Sequence, residues 1–261
     1  MKRIVLPPHI FREYDIRGVV DVDLTDELVR RLGCAVAASF AREGIREAVV
    51  GRDVRHSSDR FFASLVDGLR RGGVNVVDLG SVPTPVFYFA AKKWGLAGGV
   101  MITASHNPAQ FNGFKVLRGE GTIHGADILE LRELAEGDLP EPGGGALESR
   151  EARHEYVEHI ARSISVERPV AFAADGGNGT SGLVARELFA SLGQRPMELY
   201  VERDGDCPNH HPDPTIPENV RALRDAVLEG RLEFGVAFDG DSDRLGVVDD
   251  RGAILWGDRR L

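Results

Sequence analysis

The sequence predicts an α/β protein: two consecutive layered α/β domains with mixed sheets flanked by helices. Three observations carry that reading. Short apolar runs of strand length alternate with segments of helical period along most of the 261 residues. A Pro- and Gly-dominated stretch without periodicity, 138–148, interrupts the alternation and reads as a linker. At roughly 150 residues per domain, the length suits two domains whose cores need no disulfide or metal staples. The expected division is 1–148, 149–256 and a stub at 257–261.

Taken in order, the stretch to Gly18 reads as irregular. Thr25 is placed to cap a helix running to Gly44, with Leu28, Leu32, Val36 and Phe40 lining one face at four-residue spacing. Ala48–Val50 reads as a short buried strand. Ser57 starts a helix ending near Gly72 and Gly73. Val74–Leu79 reads as a strand, Thr84–Trp94 as a helix entered through Pro83 and Pro85, and Gly99–Thr103 as a buried strand. After the linker, a helix is expected over Ser149–Ser163, then a strand at Val170–Ala174, a helix after Gly182 and a strand at Met197–Val201. A Pro-rich loop at 207–217 leads to a helix ending at Glu229, a strand at Phe234–Phe238 and a hairpin across Asp249–Gly252.

Composition narrows the function. With 32 Lys and Arg against 41 Asp and Glu, the formal charge of −9 argues against non-specific binding to nucleic acid or to an anionic membrane. It leaves an anionic small substrate open, because local charge decides that case. Two cysteines, Cys34 and Cys207, cannot form a disulfide framework and suit a reducing, cytoplasmic location. No apolar run approaches the ~18 residues of a membrane span, and the opening Met-Lys-Arg-Ile-Val-Leu-Pro-Pro does not read as a signal peptide.

The strongest chemical signal is Phe238-Asp239-Gly240-Asp241-Ser242-Asp243-Arg244. Asp239, Asp241 and Asp243 alternate after an apolar strand, and in extended geometry alternate side chains share a face. Three such acids repel unless a cation lies between them, and hard oxygen ligands favour Mg²⁺, Mn²⁺ or Ca²⁺ over zinc. A solvated acidic turn is the plainer reading. An EF-hand loop is discounted, since its sixth and twelfth positions would be Arg244 and Asp250 instead of Gly and Glu. A phosphatase with Asp239 as nucleophile is a stronger rival.

Thr103-Ala104-Ser105-His106-Asn107-Pro108 follows a buried strand, and loops at strand ends gather sites in α/β folds. Ser105 could serve as nucleophile or phosphate carrier, although Ser, Asn and Pro also suit a plain turn. Gly177–Gly182 matches G-x-G-x-x-G, with Glu202 where a ribose-binding acid would stand, and competes with a tight turn that needs glycine for backbone reasons. Arg17, Arg52, Asp53 and Lys115, each taken singly, read as surface charges.

Together these segments resemble the α-D-phosphohexomutases, in particular the bacterial phosphomannomutase/phosphoglucomutase branch. Phe11–Gly18 resembles the family's Tyr-Asp-Ile-Arg-Gly segment. Thr103–Lys115 is similar to its phosphoserine loop and the Asn-Gly-Phe-Lys that follows. The run from Pro208 to Asn219 is similar to the approach to its metal loop, and Asp239–Arg244 resembles the metal loop itself. On this resemblance Gly177–Gly182 is a structural turn. The resemblance implies the family's fold in both domains. It implies Ser105 as the phosphorylated serine, and one Mg²⁺ on Asp239, Asp241 and Asp243 with a phosphate oxygen of Ser105 as a further ligand. It implies Lys115 and Arg17 near the transferred group, His106 as a helper, and Tyr14 and Arg244 as substrate contacts.

The implied reaction interconverts hexose 1-phosphate and hexose 6-phosphate in two phosphoryl transfers, through a hexose 1,6-bisphosphate that also serves as activator. A divalent cation and Arg or Lys groups suit the charge that spreads over the equatorial oxygens. Lys115 would act as a base only if neighbouring cations or burial lowered its pKa. The family departs from this sequence in two ways. Ser242 stands where Gly or Ala is more usual, with no loss of metal expected. The family has four domains, of which this sequence supplies the first two, so missing C-terminal domains would complete the cleft around the phosphosugar. The 261-residue chain is then expected to be weakly active or inactive alone. A non-catalytic phosphoprotein or metal-binding module is the reading from another function class.

Overall fold

The computed structural model describes residues 4–138 and 143–256. The chain divides into two compact units, one of residues up to 81 with 87–151, the other of 82–86 with the residues from 152 onward. The opening Met-Lys-Arg, residues 139–142 of the expected linker and the expected stub at 257–261 lie outside the described residues.

In the first unit, β1 (Ile16–Val19), α1 (Asp26–Arg42), β2 (Glu47–Arg52), α2 (Ser58–Arg71) and β3 (Asn75–Ser81) are followed by α3 (Thr84–Lys93), whose first three residues group with the second unit. Then come β4 (Gly98–Ile102), β5 (Phe111–Arg118), β6 (Gly121–Thr122), α4 (Ala126–Glu136) and β7 (Leu147–Ser149). The sheet order is β1-β5-β4-β2-β3-β7, with β6 added to β5. β4, β2, β3 and β7 pair in parallel, whereas β5 runs antiparallel to β1 and β4, so the sheet is mixed as expected. Thr25 caps α1 by accepting the Leu28 amide at 3.3 Å. Leu28, Leu32, Val36 and Phe40 are all buried in one core with Ile102 and Phe114. Helices α1 and α2 cross closely because both carry glycine at the crossing. A Cβ on Gly33 would lie 2.3 Å from the Leu65 carbonyl oxygen, and one on Gly68 would lie 2.0 Å from that of Arg30.

Three expectations need correction here. The stretch to Gly18 contains β1, which the Arg17-Gly18 pair disguises. No element was expected over 111–136, yet β5 and α4 lie there; Asn112, Gly113 and Lys115 break the apolar run in β5. The helix expected from Ser149 begins at Arg153, because Leu147–Ser149 forms β7, pairing Val76 with Leu147 and Asp78 with Ser149. All three β7 residues are exposed, so the strand leaves no alternating signal.

The second unit contains α5 (Arg153–Ser163), β8 (Phe172–Asp175), α6 (Ala185–Ser191), β9 (Met197–Leu199), α7 (Arg221–Gly230), β10 (Phe234–Phe238), β11 (Leu245–Asp249) and β12 (Ile254–Leu255). Its sheet order is β12-β11-β10-β8-β9, parallel from β10 to β9 and antiparallel beyond. Strand β10 spans the predicted residues. Leu223 and Val227 of α7 pack on Ala173, Ala237 and Val248. Parallel β8 and β10 both end at polar loops, the usual place for ligands in open α/β sheets.

Candidate active site

Ser105 lies in the loop leaving β4. Its backbone is left-handed, at φ 51°, and its side chain is buried. A serine in that region costs about 1–2 kcal/mol, so the loop needs external support. The Ser105 amide donates to Thr103 Oγ1 at 2.9 Å, and Ser105 Oγ lies 3.2 Å from His106 Nδ1.

Most of the support comes from Arg55, a residue the sequence reading missed. Its Nη2 donates to the Ser105 and Asn107 carbonyls at 2.8 and 2.6 Å, and its Nη1 to those of Pro108 and Phe111 at 2.7 and 3.0 Å. Its Nε donates to Asp53 Oδ2 at 3.0 Å. Asp53 also accepts the Arg55 amide at 3.0 Å and Ser58 Oγ at 2.6 Å, and Ser58 Oγ accepts from Asn112 Nδ2 at 3.1 Å. Asp53 is therefore a buried member of a polar network and not the surface charge it resembles singly. Arg52 pairs with Asp59 and Asp78, its guanidinium 4.2 Å from the Phe62 ring centroid.

Arg17 is likewise buried. One guanidinium nitrogen donates to Asn107 Oδ1 at 2.6 Å, another pairs with Asp15, and Nε has no hydrogen-bond partner among the described residues. Strand register places Arg17 opposite Gly113, and Lys115 lies two residues beyond Gly113 on the same sheet face. Gly113 lets the strands close between the two cations: a Cβ there would stand 2.6 Å from the Ile16 carbonyl oxygen. The first unit thus joins Ser105, His106 and Arg17 through one loop and sets Lys115 on the face Arg17 shares. Tyr14 is 72% exposed, with its ring centroid 6.4 Å from that of His124. Among the described residues it makes no hydrogen bond to the serine loop.

In the second unit, Asp239, Asp241 and Asp243 each offer a carboxylate oxygen within 4.8 Å of the others. They converge by a turn between β10 and β11, with Ser242 left-handed at φ 62°, and not by strand alternation as expected. Asp239 Oδ1 accepts the amides of Asp243 and Arg244, each at 3.0 Å. Asp241 accepts from Thr84 Oγ1 at 2.7 Å, and Thr180 Oγ1 lies 3.0 Å from Ser242 Oγ. Asp239 and Asp241 are fully buried. At an effective dielectric near 20, each pair of charges at this separation costs at least about 3 kcal/mol. An oxygen-only donor set of this kind fits a hard divalent cation such as Mg²⁺. Arg244 is exposed, its Nε 4.0 Å from Asp243.

The G-x-G-x-x-G segment has a packing explanation. A Cβ on Gly179 would lie 2.6 Å from the Gly240 carbonyl oxygen, and one on Gly182 would lie 1.9 Å from that of Val201. The helical segments after it, Ser181–Leu183 and α6, are too short for a strong anion site, and Glu202 is paired with Arg186. Beside this turn, His210 Nε2 lies 3.0 Å from the buried Asp175, and Nδ1 lies 2.9 Å from the His211 carbonyl oxygen. Burial alone would lower the His210 pKa, but the Asp175 hydrogen bond and charge, with the carbonyl, outweigh it and raise the value.

Two layered units on mixed sheets, with polar residues at strand ends, place the chain in the open α/β class, where ligands commonly gather at strand ends. Family comparison is more specific. Residues 8–136 match the phosphoglucomutase/phosphomannomutase alpha/beta/alpha domain I, and residues 154–252 match domain II. The chain belongs to the phosphoglucomutase/phosphomannomutase family. It is 43% identical to a phosphoglucomutase of Neisseria meningitidis serogroup B, over 97% of this chain and 55% of the relative. It is 41% identical to a phosphomannomutase/phosphoglucomutase of Pseudomonas aeruginosa, over 100% of this chain and 56% of the relative. A Burkholderia thailandensis crystal structure of a phosphoglucomutase/phosphomannomutase family protein superposes with a TM-score of 0.94 at 40% identity, over 98% of this chain and 58% of that one. The chain spans about half the length of the curated relatives it matches. No helix among the described residues is long and apolar enough to cross a membrane.

Proposed function

We propose that the chain carries the phosphoserine and metal-loop domains, 1–148 and 149–256, of a phosphohexomutase that interconverts hexose 1-phosphates and hexose 6-phosphates. The observation that carries the reading is Ser105, held left-handed at the end of β4, in a loop that also accepts from Arg17. Such strained, over-supported residues cluster at functional sites. Asp239, Asp241 and Asp243 would hold one Mg²⁺, which when bound supplies charge neutralisation for phosphoryl transfer.

In the forward half-reaction the bond between phosphorus and Ser105 Oγ breaks and a bond to a sugar hydroxyl oxygen forms, giving a hexose 1,6-bisphosphate. The hydroxyl gives its proton to Lys115 acting as base, a role that needs a neutral amine. Ser105 Oγ gains a proton, and His106 Nδ1, 3.2 Å away, is placed to supply it. The second half-reaction returns the phosphoryl group at the other end of the sugar to Ser105. Arg17 and, once protonated, Lys115, on one sheet face, supply positive charge toward the group in transit, with Tyr14 and Arg244 assigned to substrate contact. The relatives are about twice as long, and full turnover is expected to draw on the part of their length that these 261 residues do not span.

The test is incubation of the chain with glucose 1,6-bisphosphate and Mg²⁺, followed by intact-mass and peptide analysis. One added phosphoryl group on Ser105, absent from Ser105→Ala, supports the reading. Phosphatase activity that survives Ser105→Ala but not Asp239→Asn would replace it with the aspartyl-nucleophile alternative.

A further inference from the structure

We infer that Arg55 is the positioning residue of the serine loop, and through that loop of Arg17. All five N–H groups of a guanidinium are committed here. Two go to the Ser105 and Asn107 carbonyls, two to those of Pro108 and Phe111, and one to Asp53. The four carbonyls come from the seven-residue span 105–111, so a single rigid fork sets the path of the whole loop. A lysine at this position offers three donors from one flexible point and cannot reproduce the pattern.

Two consequences follow from the geometry. Ser105 has a backbone conformation that serine seldom adopts, and the bond from Arg55 to the Ser105 carbonyl helps to hold it there. Asn107 is gripped by its carbonyl oxygen, and its side-chain oxygen in turn accepts from Arg17 Nη1. Displacing the Asn107 backbone would therefore displace a second cationic group of the site. Asp53 supplies the counter-charge and Ser58 and Asn112 brace it, so the fork is itself pre-organised before any substrate arrives. Neither Arg55 nor Asp53 is placed in contact with substrate; both act through the loop.

The chemical consequence rests on the phosphoserine reading, whereas the structural consequence does not, and the experiment separates them. The 261-residue chain is compared as wild type, Arg55→Lys and Arg55→Ala, with Lys keeping the charge opposite Asp53 should the Ala variant fail to fold. Hydrogen exchange of the 104–111 amides is expected to accelerate at least ~10-fold in Arg55→Lys while α1 exchanges as in wild type. With glucose 1,6-bisphosphate as donor, the maximal rate of Ser105 phosphorylation is expected to fall ~10²-fold, with the half-saturating donor concentration nearly unchanged. A purely structural role would not divide the two parameters in that way. Wild-type exchange in 104–111, or a wild-type maximal rate, in Arg55→Lys overturns the inference. If the wild-type chain takes up no phosphoryl group while the exchange difference is present, the phosphoserine reading fails and the loop clamp stands.

Discussion

Ser105 and Ser242 both occupy the left-handed region, in loops leaving β4 and β10, but different side chains hold them there. The serine loop is gripped by Arg55, some 50 residues away in sequence, with a counter-ion already in place at Asp53. The acidic loop closes largely on itself. Asp239 accepts amides four and five residues ahead, and Thr84 and Thr180 reach in from elsewhere in the sequence. Charge balance differs as well. In the first loop the buried charge is paired within the protein, while in the second three carboxylates converge. One loop is finished by folding; the other, on the function proposed above, would be completed by a cation.

The sharpest way to break this contrast is Asp53→Ala. It leaves the Arg55 guanidinium buried without its counter-ion and is expected to cost the first unit about 3–5 kcal/mol in chemical denaturation. A loss below about 1 kcal/mol would show that the serine loop does not depend on the remote brace. Magnesium supplies the next largest effect. Saturating Mg²⁺, at about one hundred times its dissociation constant, is expected to stabilise the second unit by about 2.7 kcal/mol. The first unit's unfolding should stay unchanged. Asp239→Asn keeps the acceptor for the Asp243 and Arg244 amides but weakens the cation site, so it should abolish the Mg²⁺ response with little loss of basal stability. Asp239→Ala should lose both, costing about 1–3 kcal/mol without metal. Mg²⁺ stabilisation that persists in Asp239→Asn would sink the assignment of that loop as the cation site.

The same contrast explains what could be read from the sequence. The acidic loop is a local object: its three acids, its strand β10 and the hairpin after it lie within about twenty residues, and all were legible. What the sequence hid was how the acids meet, because a left-handed Ser242 is a property of the folded turn. The serine segment was legible as a motif, but Arg55, Asp53 and Asn112 were not. An Asp-x-Arg at the end of β2 signals a polar strand-end loop, yet nothing local says that its donors match four carbonyls on another loop. Strands β1 and β5 were missed for a related reason. Arg17, Asn112, Gly113 and Lys115 are polar, charged or glycine, and those residues erase the apolar pattern that marks a strand.

Thr84→Val probes the weaker, non-local part of the acidic loop's support. It removes the hydroxyl that Asp241 accepts and keeps the shape, and it is expected to cost about 1–2 kcal/mol in thermal unfolding without metal. No change would mean that the loop's own bonds suffice.

The smallest effect concerns the loop packed beside the Gly177–Gly182 turn. His210 faces Asp175, the His211 carbonyl and the Tyr200 ring, and its pKa in the folded protein is raised above 6.5. A raised histidine contributes its full stabilisation below its unfolded pKa, about 6.5, and loses it as pH climbs through the folded value. The melting temperature of the wild-type second unit should therefore fall from pH 6 toward pH 9. In His210→Gln, which can still donate to Asp175 but carries no proton to lose, that fall should flatten. If wild type and variant track each other across this range, the charge on His210 contributes nothing, and the Asp175 contact is an ordinary neutral hydrogen bond.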